Sequence, residues 1–124
     1  KDILKGVYYF VAKDGNKPVK EFIHSLTEKE QSKVYAYITE LKKQGNNMRR
    51  PMADYLKNGI YELRPKDNRI FYFFYLQETA VLVHAIKKHV KKIPENDLKL
   101  CIKRKTETEF CGTNIERLEL KGNL

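Results

Sequence analysis

The 124-residue sequence is poor in cysteine, tryptophan, proline and negative charge. Cys101 and Cys111 are too few for a disulfide scaffold, so a reducing, cytoplasmic setting with two ordinary thiols is the simplest expectation. The three histidines and two cysteines lack zinc-finger or facial-triad spacing, so no metal and no cofactor are expected. No GxxxxGK[ST] or GxGxxG phosphate loop is present. No GxSxG elbow is present either, and Ser25 and Ser32 lie near or within predicted helices, outside any nucleophile context. No apolar run reaches the roughly 18 residues of a membrane span, and no basic–apolar–small-residue signal opens the chain. Lys1 in place of Met reads as a trimmed or processed start. Four prolines and six glycines, all scattered, leave no linker, repeat or low-complexity segment, and the length suits one domain.

What is abundant is positive charge. Twenty-five Lys and Arg against sixteen Asp and Glu give a net charge of +9 and a pI of about 9.5. It is unevenly placed. Residues 87–105 hold Lys87, Lys88, Lys91, Lys92, Lys99, Lys103, Arg104 and Lys105 against Glu95 and Asp97 alone, a local excess of +6. Such a window is either a solvated helix face or a polyanion-binding patch.

The pattern of residues predicts an α+β domain of order βααβββα, a meander sheet with helices on one side. Val7–Val11 reads as a strand, followed by a turn at Asp14-Gly15-Asn16. Pro18 opens a helix carrying Val19, Phe22, Ile23 and Leu26 at helical spacing. Thr27 and Glu30 form a capping box for a second helix, with Val34, Tyr37, Ile38 and Leu41 on one face and Gly45 at its end. Asn46 to Lys57 reads as a polar loop. Gly59–Arg64 and Arg69–Leu76 form a hairpin around Pro65-Lys66-Asp67-Asn68. Ala80–Ile86 is a third, interior strand, and Pro94 opens a final helix to about Lys105.

Strand alternation places Glu62, Arg64 and Arg69 on one face of that hairpin, whether Arg64 opposes Arg69 or Phe71. Tyr61, Leu63, Ile70, Tyr72 and Phe74 take the other face, the natural core side. His84 and Lys88 share a parity in the third strand, unless the chain bends before Lys88. The aromatic run Phe71–Tyr75 is mainly core, although Phe71 and Phe73 share the face of Arg69 and could meet a nucleic-acid base.

Three segments resemble the RelE/ParE superfamily of bacterial toxins, and within it the HigB-like, phage-derived branch. Tyr61-Glu62-Leu63-Arg64 is similar to the YELR strand of that branch. Arg69-Ile70-Phe71-Tyr72 is similar to its R-apolar-x-Tyr strand. His84-Ala85-Ile86, then Lys88, Lys92 and Pro94, follow a pattern of the form LLHGFxKKTxKTP. His89 and Val90 depart from it, standing where the pattern has Lys and Thr. The resemblance runs from about Val7 to Lys105, so residues 1–106 are expected to form a RelE-like domain and 107–124 a tail of unknown structure.

The resemblance implies a toxin of a type II toxin–antitoxin system, an mRNA endoribonuclease acting on ribosomes. The implied partners are the ribosome, mRNA and a cognate antitoxin, often a helix-turn-helix protein. Metal-free RNA cleavage needs a base for the 2′-OH, cations for the phosphorane and an acid for the leaving 5′ oxygen. Arg64, Arg69 and Lys88 are the expected charge stabilisers, with His84 and Glu62 as proton carriers. Lys87, His89, Lys91, Lys92 and Lys99, with Phe71 and Phe73, are the expected RNA-binding residues. Three other readings stay open: a non-enzymatic gyrase inhibitor of the ParE kind, a basic nucleic-acid-binding module without catalysis, and a degenerate, non-toxic phage relic.

Overall fold

A computed structural model describes residues 1–88 and 92–120. His89 and Lys91 therefore lie outside the described residues. The chain runs β1 (Gly6–Phe10), α1 (Pro18–His24), α2 (Glu28–Gln44), β2 (Ala53–Lys57), β3 (Ile60–Leu63), β4 (Asn68–Phe74), β5 (Thr79–Lys87), α3 (Glu95–Cys111) and β6 (Ile115–Arg117). The strands form one sheet in the order β2-β3-β4-β5-β1-β6. All neighbours pair antiparallel except β1 and β5, whose parallel pairing is bridged by the intervening helices and meander. The α+β class holds.

Local chemistry accounts for the helices. Pro18 is the first residue of α1. The Thr27 hydroxyl accepts from the Glu30 N–H at 3.2 Å, and Glu30 accepts in return from the Thr27 N–H at 3.4 Å, closing the capping box of α2. The final helix runs past the expected Lys105, because Gly112 is the first residue after it able to stop a helix. Gly112 adopts a left-handed conformation (φ 77°) and its N–H donates to the Thr108 carbonyl at 2.7 Å. Within the added turn, Lys105 pairs with Glu109 at 3.0 Å.

Helices cover both faces of the sheet, a correction to the expected one-sided cover. Val19, Ile23, Val34, Ile38 and Leu41 of α1 and α2 pack with Leu63, Ile70, Tyr72 and Leu82. On the other face Cys101 of α3, with Leu98 and Ile102 beside it, meets Ile60, Phe71, Phe73, Val81 and Val83. The reason lies in β4, which carries apolar side chains on both faces and is buried along nearly all its length. Each fully buried Ile, Leu or Phe contributes about 1.5–3 kcal/mol.

Two strands lie where none was expected. β2 occupies the segment read as a polar loop. It is an edge strand with mixed burial, and Pro51 stands just before it, where proline is tolerated. β6 lies in the expected tail and pairs with β1. Glu116 fastens it to α1 through Lys17 at 2.7 Å and Lys20 at 2.9 Å, and Leu118 is buried in the first core. Residues 107–120 are thus part of the domain.

Candidate functional site

The site grows from the register of three strands. Glu62 pairs with Phe71 and Leu63 with Ile70, so continuing the ladder sets Arg64 beside Arg69. That is one of the two registers the hairpin allowed. β2 adds Asp54 opposite Glu62. Between β4 and β5 the register shifts: Phe71 faces His84, but Tyr72 faces Leu82. The extra residue, Val83, changes the phase of the strand. Without this bulge His84 and Ile86 would fall on the α1/α2 face; with it they share the face of Arg69 and Phe71.

Glu62 is the hub. Only 3% of it is exposed, and its carboxylate receives Arg64 Nη1 at 2.8 Å and stands 3.9 Å from Arg69 Nε. Arg69, 7% exposed, is locked further by Nη1 donating to the Lys66 and Asn68 carbonyls, each at 2.8 Å. Among the described residues, Glu62 Oε1 and Arg69 Nε have no hydrogen-bond partner. The Arg64 side chain is 21% exposed and forms the outer cation. Arg50 stands nearby on the edge, paired with Asp54 at 2.9 Å. Lys88 follows β5, its N–H donating to the Asp67 carbonyl at 2.7 Å.

The electrostatics show how crowded these cations are. Partial burial lowers the pKa of Lys88, and Arg69, Arg64 and Arg50 lower it further, against the opposing pull of Glu62. Burial and then Arg64 lower that of Arg69, while Glu62 and Asp67 raise it. Four cations (Arg50, Arg64, Arg69 and Lys88) thus face three carboxylates (Glu62, Asp54 and Asp67), and Asp54 is held by Arg50. An incoming phosphate would relieve this repulsion and find guanidinium donors already fixed.

The remaining expected residues separate. His84 Nε2 bonds Asp97 Oδ1 of α3 at 2.7 Å, and its ring stacks on Phe71 with centroids 5.7 Å apart. Phe71 and Phe73 are 0% exposed, so neither can stack on an RNA base; this corrects their expected RNA-binding role. α3 covers that face, and Lys105 lies over the Phe73 ring at 5.8 Å. Lys87 points to the opposite face, where Nζ meets Glu30 at 2.6 Å. Arg104 turns inward to the Val83 carbonyl at 2.7 Å and the Phe10 ring. Lys92 and Lys99 are exposed. The basic window is therefore divided between packing and surface.

Three participants escaped the sequence reading: Arg50, Asp54 and Asp97. The Arg50–Asp54 pair lay in the supposed loop, and Asp97 was counted only as opposing charge. Among the described residues no cluster of three His, Cys, Asp or Glu side chains could hold a metal ion, and no helix is long and apolar enough to cross a membrane.

No curated protein matches the chain. The family model for phage-derived Gp49-like proteins (DUF891) matches residues 21–106, a span that runs from the second half of α1 through most of α3 and takes in every member of the Arg64–Arg69–Lys88 cluster. The chain belongs to this Gp49-like family, which is RelE-like and toxin-like in kind.

Proposed function

We propose that the protein is a HigB-like toxin of a type II toxin–antitoxin system, cleaving mRNA on the ribosome by metal-independent attack of a 2′-OH on the adjacent phosphate. One observation carries this reading. Arg64 and Arg69 meet at buried Glu62, at a part of the sheet face where Arg64 still reaches solvent, and Lys88 stands close enough for their charges to lower its pKa. That arrangement suits one phosphodiester and its transition-state charge better than a long duplex backbone. Membership in a RelE/toxin-like family is compatible with it.

The residues take distinct parts. Arg69 is the fixed donor and Arg64 the outer one. Glu62, buried and engaged with both, is a positioning residue rather than a proton carrier. Lys88, whose pKa is lowered by burial and by the arginines, donates a proton to the departing 5′ oxygen. His84 lies diagonally across from Arg69, since Arg69 pairs with Ile86 and Phe71 with His84, and such neighbours stand about 7–8 Å apart. With Nε2 donating to Asp97, a neutral His84 keeps Nδ1 as proton acceptor for the 2′-OH. Attack forms the P–O2′ bond and breaks P–O5′, leaving a 2′,3′-cyclic phosphate and a 5′-hydroxyl. The exposed Lys92 and Lys99 contact ribosomal RNA, and an acidic antitoxin segment covers the cationic face.

The test is induction in cells with mapping of mRNA 5′ ends. Lys88→Ala and Arg64→Gln are the clean variants, because Arg69 also stabilises the fold. Loss of one such donor costs about 10²–10³ in rate. Cuts of equal strength in both variants would remove these residues from the chemistry. Growth arrest with intact mRNA and broken DNA would favour gyrase inhibition instead.

A further inference from the structure

A groove opens where β5 ends and α3 begins. Ile86, Lys88, Lys92, Ile93, Pro94 and Asp97 line it, and its volume is about 330 Å³. Lys87 adds only its stem, since its ammonium is turned to Glu30. The volume is at the lower end of the range for small-ligand sites, and the make-up is that of such sites: an apolar floor with few polar groups.

Two features tie the groove to the phosphate cluster. Lys88 belongs to both, as a wall of the groove and as a neighbour of Arg64 and Arg69. Ile86, on the floor, is the direct strand partner of Arg69. A phosphate at Arg64 and Arg69 would therefore bring its own nucleoside towards Ile86, Ile93 and Pro94. These offer flat apolar contact to a ring, while Lys88 and Lys92 supply the sign of charge that a nucleotide chain requires.

Asp97 is the odd member, a carboxylate at a site built for an anion. Its Oδ1 is taken by His84. An ionised carboxylate has about four acceptor positions, so among the described residues Oδ2 remains available as an acceptor on a side chain that lines the groove. It can only accept. Cytosine, adenine and guanine offer exocyclic amino groups, whereas uracil offers one N–H flanked by two carbonyl oxygens that a carboxylate repels.

We infer that this groove is a nucleobase subsite beside the scissile phosphate, selecting bases with an exocyclic amino group through Asp97. The inference rests on the ribonuclease reading above and adds a base preference to it.

The test is a methyl and amide NMR titration of the full chain with CMP, AMP, UMP and ribose 5-phosphate. CMP and AMP are expected to move Ile86 and Ile93 and to bind about tenfold more tightly than UMP. Ribose 5-phosphate is expected to move Arg64 and Lys88 only. In Asp97→Asn the CMP-to-UMP preference falls to near one. If that variant does not fold, Ile93→Ala serves: it weakens CMP and leaves ribose 5-phosphate unchanged. Equal affinities for CMP and ribose 5-phosphate, with Ile86 and Ile93 unmoved, would overturn the subsite. Equal affinities for CMP and UMP in the wild type would overturn the selection by Asp97. Because binding needs no cleavage, groove binding with no cuts in cells would refute the ribonuclease reading alone, and cuts with an indifferent groove would refute the subsite alone.

Discussion

Glu62→Ala is the most informative perturbation of the site's framework. The carboxylate is 3% exposed and faces Arg64 at 2.8 Å and Arg69 at 3.9 Å. Removing it leaves two adjacent guanidiniums, one of them 7% exposed, without their shared acid. Breaking a buried ion pair from one side costs about 3–5 kcal/mol. The lower end applies here, because Arg69 Nη1 keeps its bonds to the Lys66 and Asn68 carbonyls. About 3 kcal/mol in a domain of this size lowers Tm by about 10 °C. Urea unfolding followed by circular dichroism reads the loss as a lower midpoint at unchanged slope. The double variant Glu62→Leu/Arg69→Met should recover most of it, since replacing a buried pair by apolar groups is often neutral. A loss below about 1 kcal/mol, the range of exposed pairs, would refute the claim that Glu62 is a buried hub.

Other expectations follow from the same geometry. Thr27→Ala removes the α2 cap and should cost about 0.5–2 kcal/mol by chemical denaturation. Glu30 has its pKa lowered, first by the hydrogen bond from Lys87 and then by the Thr27 backbone. Its contribution is therefore present above the ordinary carboxylate value and is lost as pH falls through the lowered one; Glu30→Gln should flatten that acid limb of the stability curve. The ¹³Cε resonance of Lys88 should titrate below the ordinary lysine value and move back up in Arg64→Gln, as one nearby cation is removed. Phe73→Ala should destabilise the fold by about 3–5 kcal/mol, as expected of a packed ring. A stable Phe73→Ala with weakened RNA binding would contradict the burial of that ring.

Legibility in the sequence followed the range of the interactions. The capping box of Thr27 and Glu30 and the alternation in the hairpin are local, and both were readable. So was the grouping of Glu62, Arg64 and Arg69, because it holds in either register. The face of His84 was not, since it depends on the bulge at Val83, which no nearby glycine marks. β2 was masked by Pro51 and by side chains of mixed polarity, which a half-exposed edge strand tolerates. Two-sided cover was already written in β4, where Ile70 and Tyr72 alternate with Phe71 and Phe73, so that both faces of the strand need a helix above them. Asp97 became visible only when α3 was placed over β5, a contact between residues 13 positions apart.

The end chemistry of the cut tests the central claim most directly. Purified protein is added to ribosomes programmed with a defined mRNA, and the ends of the fragments are analysed for the wild type, Lys88→Ala and Arg64→Gln. A site that works through 2′-OH attack, with Arg64, Arg69 and Lys88 on the phosphate, predicts a 5′-hydroxyl downstream and a 2′,3′-cyclic phosphate or its 3′-phosphate product upstream. It also predicts a rate about 10²–10³ lower in each variant. A 5′-phosphate at the cut, or wild-type rates in both variants, would contradict the account.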